Sequence, residues 1–351
     1  MKKFKFKFLL LFPVIFFVVI ATYFIFTASY PIVFADPAEF VVGDGTVDNP
    51  YQVSNCEQLQ LIGTSTNLSL NFVLTNDIDC SQTSSWNPLY GASAVDIGAA
   101  NAGTVYQIPN APLQPGSVTV KVYNITRTTG FVIDHEAGTV TFDDLPSTLY
   151  GVSTSRRVTV DYTSINPIYY RGFNPIGVNT SAFTGRINGN GFKILDLFIY
   201  RPTTNYVGIF GYAGSGAQIS NLGMLGGNIT GYDYTGGIVG YSASSSTVSK
   251  SFVNGIQVTG YYHVGGLVGY NNTNGVITES YSINFRVLPI SSGSRYVGGL
   301  VGTNIGSISN SYTRGILLGG TYQGGFAGRS TGSISNSFSA SVVEVIAFNG
   351  G

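Results

Sequence analysis

The sequence predicts an all-β protein, a parallel β-helix or β-solenoid of 26- to 33-residue coils, and three observations carry that prediction. A short phrase recurs as Tyr206-Val-Gly-Ile-Phe-Gly-Tyr212, Tyr234-Thr-Gly-Gly-Ile-Val-Gly-Tyr241, His263-Val-Gly-Gly-Leu-Val-Gly-Tyr270, Tyr296-Val-Gly-Gly-Leu-Val-Gly302 and Tyr322-Gln-Gly-Gly-Phe-Ala-Gly328. Its last glycines, Gly211, Gly240, Gly269, Gly302 and Gly328, are spaced 29, 29, 33 and 26 residues apart. A second phrase follows each copy: Ile219-Ser-Asn-Leu, Val248-Ser-Lys-Ser-Phe, Ile277-Thr-Glu-Ser-Tyr, Ile308-Ser-Asn-Ser-Tyr and Ile334-Ser-Asn-Ser-Phe. Finally, the repeats are rich in Val, Ile, Thr, Tyr and Gly, with no apolar run at helical spacing.

One repeat is then one coil, with room for about three strands of about five or six residues and their turns. Stacked coils pair about 4.8 Å apart. A single coil cannot bury its inner face, so its neighbours complete the core. Gly-Gly before a two-residue apolar step is expected at a corner, where backbone approaches backbone. The third residue of the second phrase, Asn221, Lys250, Glu279, Asn310 and Asn336, is expected at another corner, because Asn tolerates the left-handed conformation. Lys250 and Glu279 fall one coil apart and are expected to be neighbours.

These phrases resemble the GLUG repeat, named for its Gly-Leu-x-Gly core and found in large bacterial surface proteins, including segments of immunoglobulin A peptidases. The resemblance covers 206–351. It extends to a lead-in of Asp48-Asn-Pro-Tyr-Gln-Val, Cys56-Glu-Gln-Leu-Gln-Leu-Ile62, Phe72-Val-Leu-Thr-Asn-Asp-Ile-Asp79 and Phe183-Thr-Gly-Arg-Ile-Asn-Gly-Asn-Gly-Phe-Lys-Ile194. It implies a shape and brings no catalytic residues.

Residues 1–35 read as a signal peptide or an uncleaved anchor helix. Lysines precede an apolar run from Phe8 to about Ala28, long enough to span a bilayer, and Val33-Phe34-Ala35 is a small-residue cleavage pattern. Residues 36–88 are expected to form the N-terminal cap and first coil. A short helix is expected over Cys56 to Ile62, capped by Ser54 or Asn55. Cys56 and Cys80 are read as a disulfide because export favours an oxidising compartment; two free buried thiols are the alternative. In the family that the repeats resemble, a Trp-x-Pro-Ile-Gly phrase runs almost directly into Phe-Thr-Gly. Here Trp86-Asn-Pro88 breaks off and Phe173-Asn-Pro-Ile-Gly177 takes it up again, so 89–171 is read as an insertion. Period-two alternation in Gly116 to Val122, Gly130 to Ile133, Gly138 to Phe142 and Arg156 to Tyr162 predicts a small antiparallel β domain there. Its Pro-Gly-Ser-Val, Ala-Gly-Thr-Val-Thr-Phe and Val-Thr-Val-Asp-Tyr phrases resemble a module of phage tail and baseplate proteins. The array then runs over 172–351, where Phe348-Asn-Gly-Gly351 reads as the opening of another repeat, so the chain is expected to stop mid-coil.

Catalysis is not expected. From Tyr206 onward the acids are Asp233, Glu279 and Glu344, in different repeat positions, whereas glycosidases need paired carboxylates. His263 replaces a tyrosine in its column, His135 lies in a turn between Asp134 and Glu136, and no His-Glu-x-x-His occurs. Asn76, Asp77 and Asp79 are a weak calcium set, read rather as a polar turn. No catalytic residue, cofactor or metal site is therefore assigned. Tyr212, Tyr241 and Tyr270 share one column and form the possible ligand surface, with core filling as the simpler role; Tyr232, Tyr261 and Tyr262 lie between phrases. Sequons at Asn67, Asn124, Asn179, Asn228 and Asn271 arise easily in so Asn-, Ser- and Thr-rich a chain. Without 1–35, 13 basic residues face 17 acidic ones, which does not describe a nucleic-acid-binding surface. The expectation is a secreted or cell-surface, non-enzymatic solenoid acting in adhesion or as a rigid scaffold. The alternatives are a noncatalytic segment of a larger peptidase or carbohydrate-active enzyme, or a glycan-binding module. Cell-surface glycans or proteins are the expected partners, with membrane contact only through an uncleaved N-terminal segment.

Overall fold

A computed structural model describes residues 39–344 except 90, 100–104, 109–112, 114–116, 123–124, 128–130, 138, 143–156, 164–168 and 292. The leader at 1–35 and the closing Phe348 to Gly351 lie outside the described residues. Among those described, no helix is long and apolar enough to cross a membrane. The array is a β-solenoid of about five turns, with almost no helix.

The coil beginning at Asp233 shows the plan. Its strands are Asp233–Gly236, Val239–Ser242, Thr247–Ser249, Phe252–Asn254 and Gln257–Gly260, each of three or four residues. This corrects the expectation of about three longer strands. Left-handed residues at Tyr234, Ser245, Lys250 and Gly255 bend the chain every few residues, leaving no straight run of five or six. The third residue of the second phrase does sit at a corner: Asn221, Lys250, Glu279, Asn310 and Asn336 have φ of 52°, 49°, 49°, 50° and 47°.

The Gly-Gly pair plays a different part from the one expected. None of Gly236, Gly237, Gly265 and Gly266 is left-handed; the left-handed residue is the aromatic before them, with φ of 57° at Tyr234 and 53° at His263. The glycines are needed for close approach between coils. A Cβ at Gly237 would stand 2.6 Å from both the Gly266 carbonyl oxygen and Ile256 Cδ1.

Coils pair in parallel and in register. Ile187, Ile219, Val248, Ile277, Ile308 and Ile334 face one another in succession, all buried except Ile334 on the last described coil. This sheet has eight strands and starts at Tyr51–Val53 and Asn71–Leu74. Its inward column belongs to a continuous core from Val53 to Leu317 that includes Phe72, Phe183, Phe210 and Phe285.

At the start of the array the helix forms as Cys56–Leu61, and the cap is Asn55, whose side-chain oxygen accepts the Gln58 N–H at 2.8 Å. Gln58 reaches back to accept from the N–H of Ser54, the residue before the cap, at 2.9 Å, so the two side chains hold the helix start from both sides. Cys56 and Cys80 are joined as a disulfide with Cα atoms 5.4 Å apart, tying the helix to the strand end at Asp79.

Asn71 pairs with Arg186, a step of 186 − 71 = 115 residues, where the regular array steps 247 − 218 = 29. The chain leaves and returns side by side, with Pro88 opposite Tyr170 and Leu89 opposite Tyr169 in an antiparallel pair. Between these points Gly91–Ala99, Thr119–Val122 and Arg157–Thr163 pair antiparallel, as do Val105–Gln107, Phe131–Asp134 and Thr139–Phe142. Tyr106, Ile108, Leu113, Val120, Val140, Phe142, Val160 and Tyr162 form a core cluster separate from that of the array.

The serine before the aromatic in the last four second phrases makes a ladder that sequence reasoning missed. Ser251 N–H donates to Ser280 Oγ at 3.2 Å, Ser280 N–H to Ser311 Oγ at 3.2 Å and Ser311 N–H to Ser337 Oγ at 3.1 Å. Each hydroxyl also donates within its own coil, as Ser280 Oγ does to the Thr278 carbonyl at 2.8 Å. At these corners a side chain continues the coil-to-coil hydrogen bonding that strands supply elsewhere. Ser280→Ala therefore leaves the buried Ser251 N–H unpaired, and is expected to lower the urea midpoint by the equivalent of roughly 1–3 kcal/mol.

Candidate functional site

Fold and sequence direct attention to the aromatic face of the array. The left-handed corner turns the rings of Tyr206, Tyr234, His263 and Tyr296 into one column that Tyr322 extends, with centroids 5.0, 4.9, 5.0 and 5.4 Å apart and planes within 18° of parallel. Beside it Tyr212, Tyr241 and Tyr270 stack at 4.7 and 5.0 Å. The two columns meet edge to face: Tyr234 lies 5.4 Å from Tyr241 and 5.6 Å from Tyr270, at 86° and 85°. Each favourable aromatic pair contributes about 0.5–1.5 kcal/mol beyond its burial.

The structure thus brings together Tyr212, Tyr241 and Tyr270, and shows what occupies them. All are half-buried. Both faces of the Tyr241 ring are covered, by Tyr212 and by Tyr270, and its hydroxyl is pushed up to about 12, first by burial and then by the neighbouring tyrosines. Burial also raises Tyr212, Tyr234 and Tyr270. The column is a neutral, packed lattice, and a ligand would meet ring edges and hydroxyls rather than the face of Tyr241. Between phrases Tyr232 and Tyr261 stack at 5.0 Å, Tyr262 meets Tyr261 edge-on at 4.3 Å, and Tyr232 is 39% exposed.

His263 fits where the second column changes. The position paired with Tyr270 in the next coil is Thr303, and His263 Nδ1 shares a 2.8 Å hydrogen bond with its hydroxyl. Thr303 in turn pairs with Arg329, whose guanidinium lies 5.7 Å from the Tyr296 ring centre. Burial, and secondarily the charge of Arg329, hold the imidazole down at about 4.

The other candidates resolve into packing. Asp77 Oδ1 accepts the Lys193 N–H at 2.9 Å and lies 3.6 Å from its ammonium, while Asp79 Oδ1 accepts the Ser81 N–H at 2.9 Å. Among the described residues no group of three His, Cys, Asp or Glu is placed to hold a metal ion. His135 lies in the turn between Phe131–Asp134 and Thr139–Phe142, where Asp134 Oδ1 accepts the Ala137 N–H at 2.9 Å. Lys250 and Glu279 approach to 4.0 Å with both side chains more than half exposed, a contact worth about 0–1 kcal/mol. Asn271, in a sequon, is fully buried and donates to Asn304 Oδ1 at 2.8 Å, so that site is closed to modification in the folded array.

This arrangement defines the molecule as a parallel β-solenoid whose repeated aromatics stack on one another along its length. A model of the GLUG motif matches residues 260–287, within that array. The chain is 46% identical over 59 residues to a Gly-rich membrane protein of Evansella cellulosilytica, an overlap of 17% of this chain and 7% of that one. It is 42% identical over 66 residues to halomucin of Haloquadratum walsbyi, 18% of this chain and 1% of that one. The match thus spans less than a tenth of either relative's length. No solved structure matches the chain.

The low His263 value has a signed consequence. The unfolded chain takes up a proton near the ordinary value of 6.5, before the folded one does at about 4. Stability is full above pH 6.5, falls between 6.5 and 4, and gains no further loss from this residue below. His263→Phe should remove from the pH dependence of unfolding roughly 1–3 kcal/mol, allowing for partial exposure, when urea midpoints at pH 7 and pH 4.5 are compared with the parent.

Proposed function

We propose that the chain is a non-enzymatic, extracytoplasmic surface protein in which the solenoid acts in adhesion or as a rigid scaffold, and 89–171 is an inserted domain projecting from the first coils. The observation that carries this reading is the in-register lattice: repeated tyrosines, serines and glycines are used on one another, which makes a stiff extended body. The two relatives support it by name, one as a membrane protein and one as halomucin. The GLUG motif, likewise, is a repeat and names no reaction. The separate core of Tyr106, Val120, Phe142 and Val160 and the side-by-side exit and return at Pro88 and Tyr170 support the inserted domain. Insertions succeed where the chain enters and leaves at one exposed point. Its resemblance to tail and baseplate modules makes it the place to look for a separate ligand.

A glycan-binding reading has one observation in its favour, the exposed Tyr232 stacked on Tyr261 at 5.0 Å. Aromatic faces and tips suit sugars. Because Tyr241 is covered on both sides, any sugar contact moves to rings such as Tyr232 and Tyr322, which is 51% exposed.

The surface reading is tested in a bacterial host expressing the chain from Met1. Protease added to intact cells should digest it, and the denatured chain should show Cys56 and Cys80 blocked to a thiol reagent until reduced. Protection from protease together with two reactive thiols would contradict the reading.

A further inference from the structure

One corner of the solenoid changes length along the array. In four successive coils a left-handed residue opens this corner: Asp196, Gly226, Gly255 and Asn284, with φ of 52°, 65°, 71° and 51°, and in the second of them Gly227 follows with φ of 101°. They follow the paired residues Leu195, Leu225, Asn254 and Ile283. In the next coil the counterpart is missing. Ile283 pairs with Arg314, but Phe285 pairs with Gly315, and Asn284 has no partner. The coil after that keeps the shorter corner, with Thr313 opposite Ser339 and Ile316 opposite Val342.

Losing one residue draws the chain inward and leaves a ledge. From inside, Phe285 fills the shortened corner: it is 1% exposed, and a Cβ at Gly315 would stand 2.5 Å from its ring. Outside, the ledge is an open groove of about 450 Å³, lined by Asn284, Arg286, Arg314, Ile316 and Val342. Ile316 and Val342 are 39% and 52% exposed. Arg286 and Arg314 are exposed, and neither makes an ion pair or a side-chain hydrogen bond among the described residues. Glu344, two residues along the strand from Val342, is the carboxylate nearest in sequence on this part of the sheet.

We propose that this groove binds an extended acidic peptide segment. Arg286 pairs with Ile316 one coil on, and Arg314 lies two residues before Ile316. One coil spacing and two strand residues put their Cα atoms about 8 Å apart. Side chains at i and i+2 of an extended peptide lie about 7 Å apart on one face, so two carboxylates at that spacing meet both guanidiniums. Aliphatic side chains beside them cover Ile316 and Val342. A saccharide fits less well: the one aromatic ring of the groove is buried, and guanidinium groups offer donors only, leaving sugar hydroxyls short of acceptors.

The test is fluorescence anisotropy of the purified chain with a fluorescein-labelled hexapeptide, Glu-Ser-Glu-Leu-Leu-Ser, and a control carrying lysine in both glutamate places. It does not depend on where the protein resides, so its failure is separate from failure of the surface reading. Saturable binding of the acidic probe is expected, weakened about threefold by Arg286→Gln or Arg314→Gln and at least tenfold by both, with no change in Lys250→Gln. Insertion of one glycine between Arg314 and Gly315 restores the longer corner, fills the ledge and should abolish binding while both arginines remain. Circular dichroism and the thermal midpoint verify that each variant folds. No saturable binding at millimolar chain, equal binding of the lysine control, an unaltered double variant, or capture of a polyuronate chain in place of the peptide would each overturn the proposal.

Discussion

In-register parallel stacking at one coil spacing is the constraint on which everything else depends. Once residue i sits over its counterpart in the next coil, each column must contain residues that can be their own neighbours. Isoleucine and valine meet inside at Ile219, Val248, Ile277 and Ile308. Tyrosine meets tyrosine or histidine outside, and serine meets serine at a corner. Where no side chain fits, only glycine remains: a Cβ at Gly269 would stand 2.5 Å from the Gly240 carbonyl oxygen of the coil before. The phrases recur in the sequence because the columns recur in space.

The same constraint explains the exceptions. His263 enters a tyrosine column one coil before the adjoining column gives up its ring, and Thr303 of that next coil supplies a hydroxyl to the imidazole. Lys250 and Glu279 occupy corners that favour asparagine, adopt the left-handed conformation anyway, and stand side by side. Asn271 and Asn304, paired in one column, share a side-chain hydrogen bond that keeps a polar pair inside. One neighbour therefore decides what another position tolerates, so substitutions in adjacent coils are not expected to be independent.

Much of this was legible in the sequence. The repeat period gave the stacked coils, the Asn-Lys-Glu column gave a corner, and the helix at Cys56–Leu61 followed from its residues and cap. The cysteines at 56 and 80 stand at disulfide distance. The strand count was not legible, since it depends on corners whose φ is set by tertiary stacking. Nor was the left-handed Tyr234: local preference assigns that conformation to glycine, and the adjacent Gly-Gly pair offered the wrong candidate. The serine ladder left a signal in the Ser before Phe252, Tyr281, Tyr312 and Phe338, but its meaning lies in a partner one coil away. The ring columns were visible as columns; that their faces cover one another was not.

Amide hydrogen exchange resolved by residue tests the stacking account most directly, because it reads the coil-to-coil bonds themselves. The account predicts that the amides of Ser251, Ser280 and Ser311, which donate to hydroxyls one coil away, exchange as slowly as those of Val248, Ile277 and Ile308 in the adjoining strands. Exchange of the serine amides as fast as that of exposed turn residues, with the strands still protected, would contradict it.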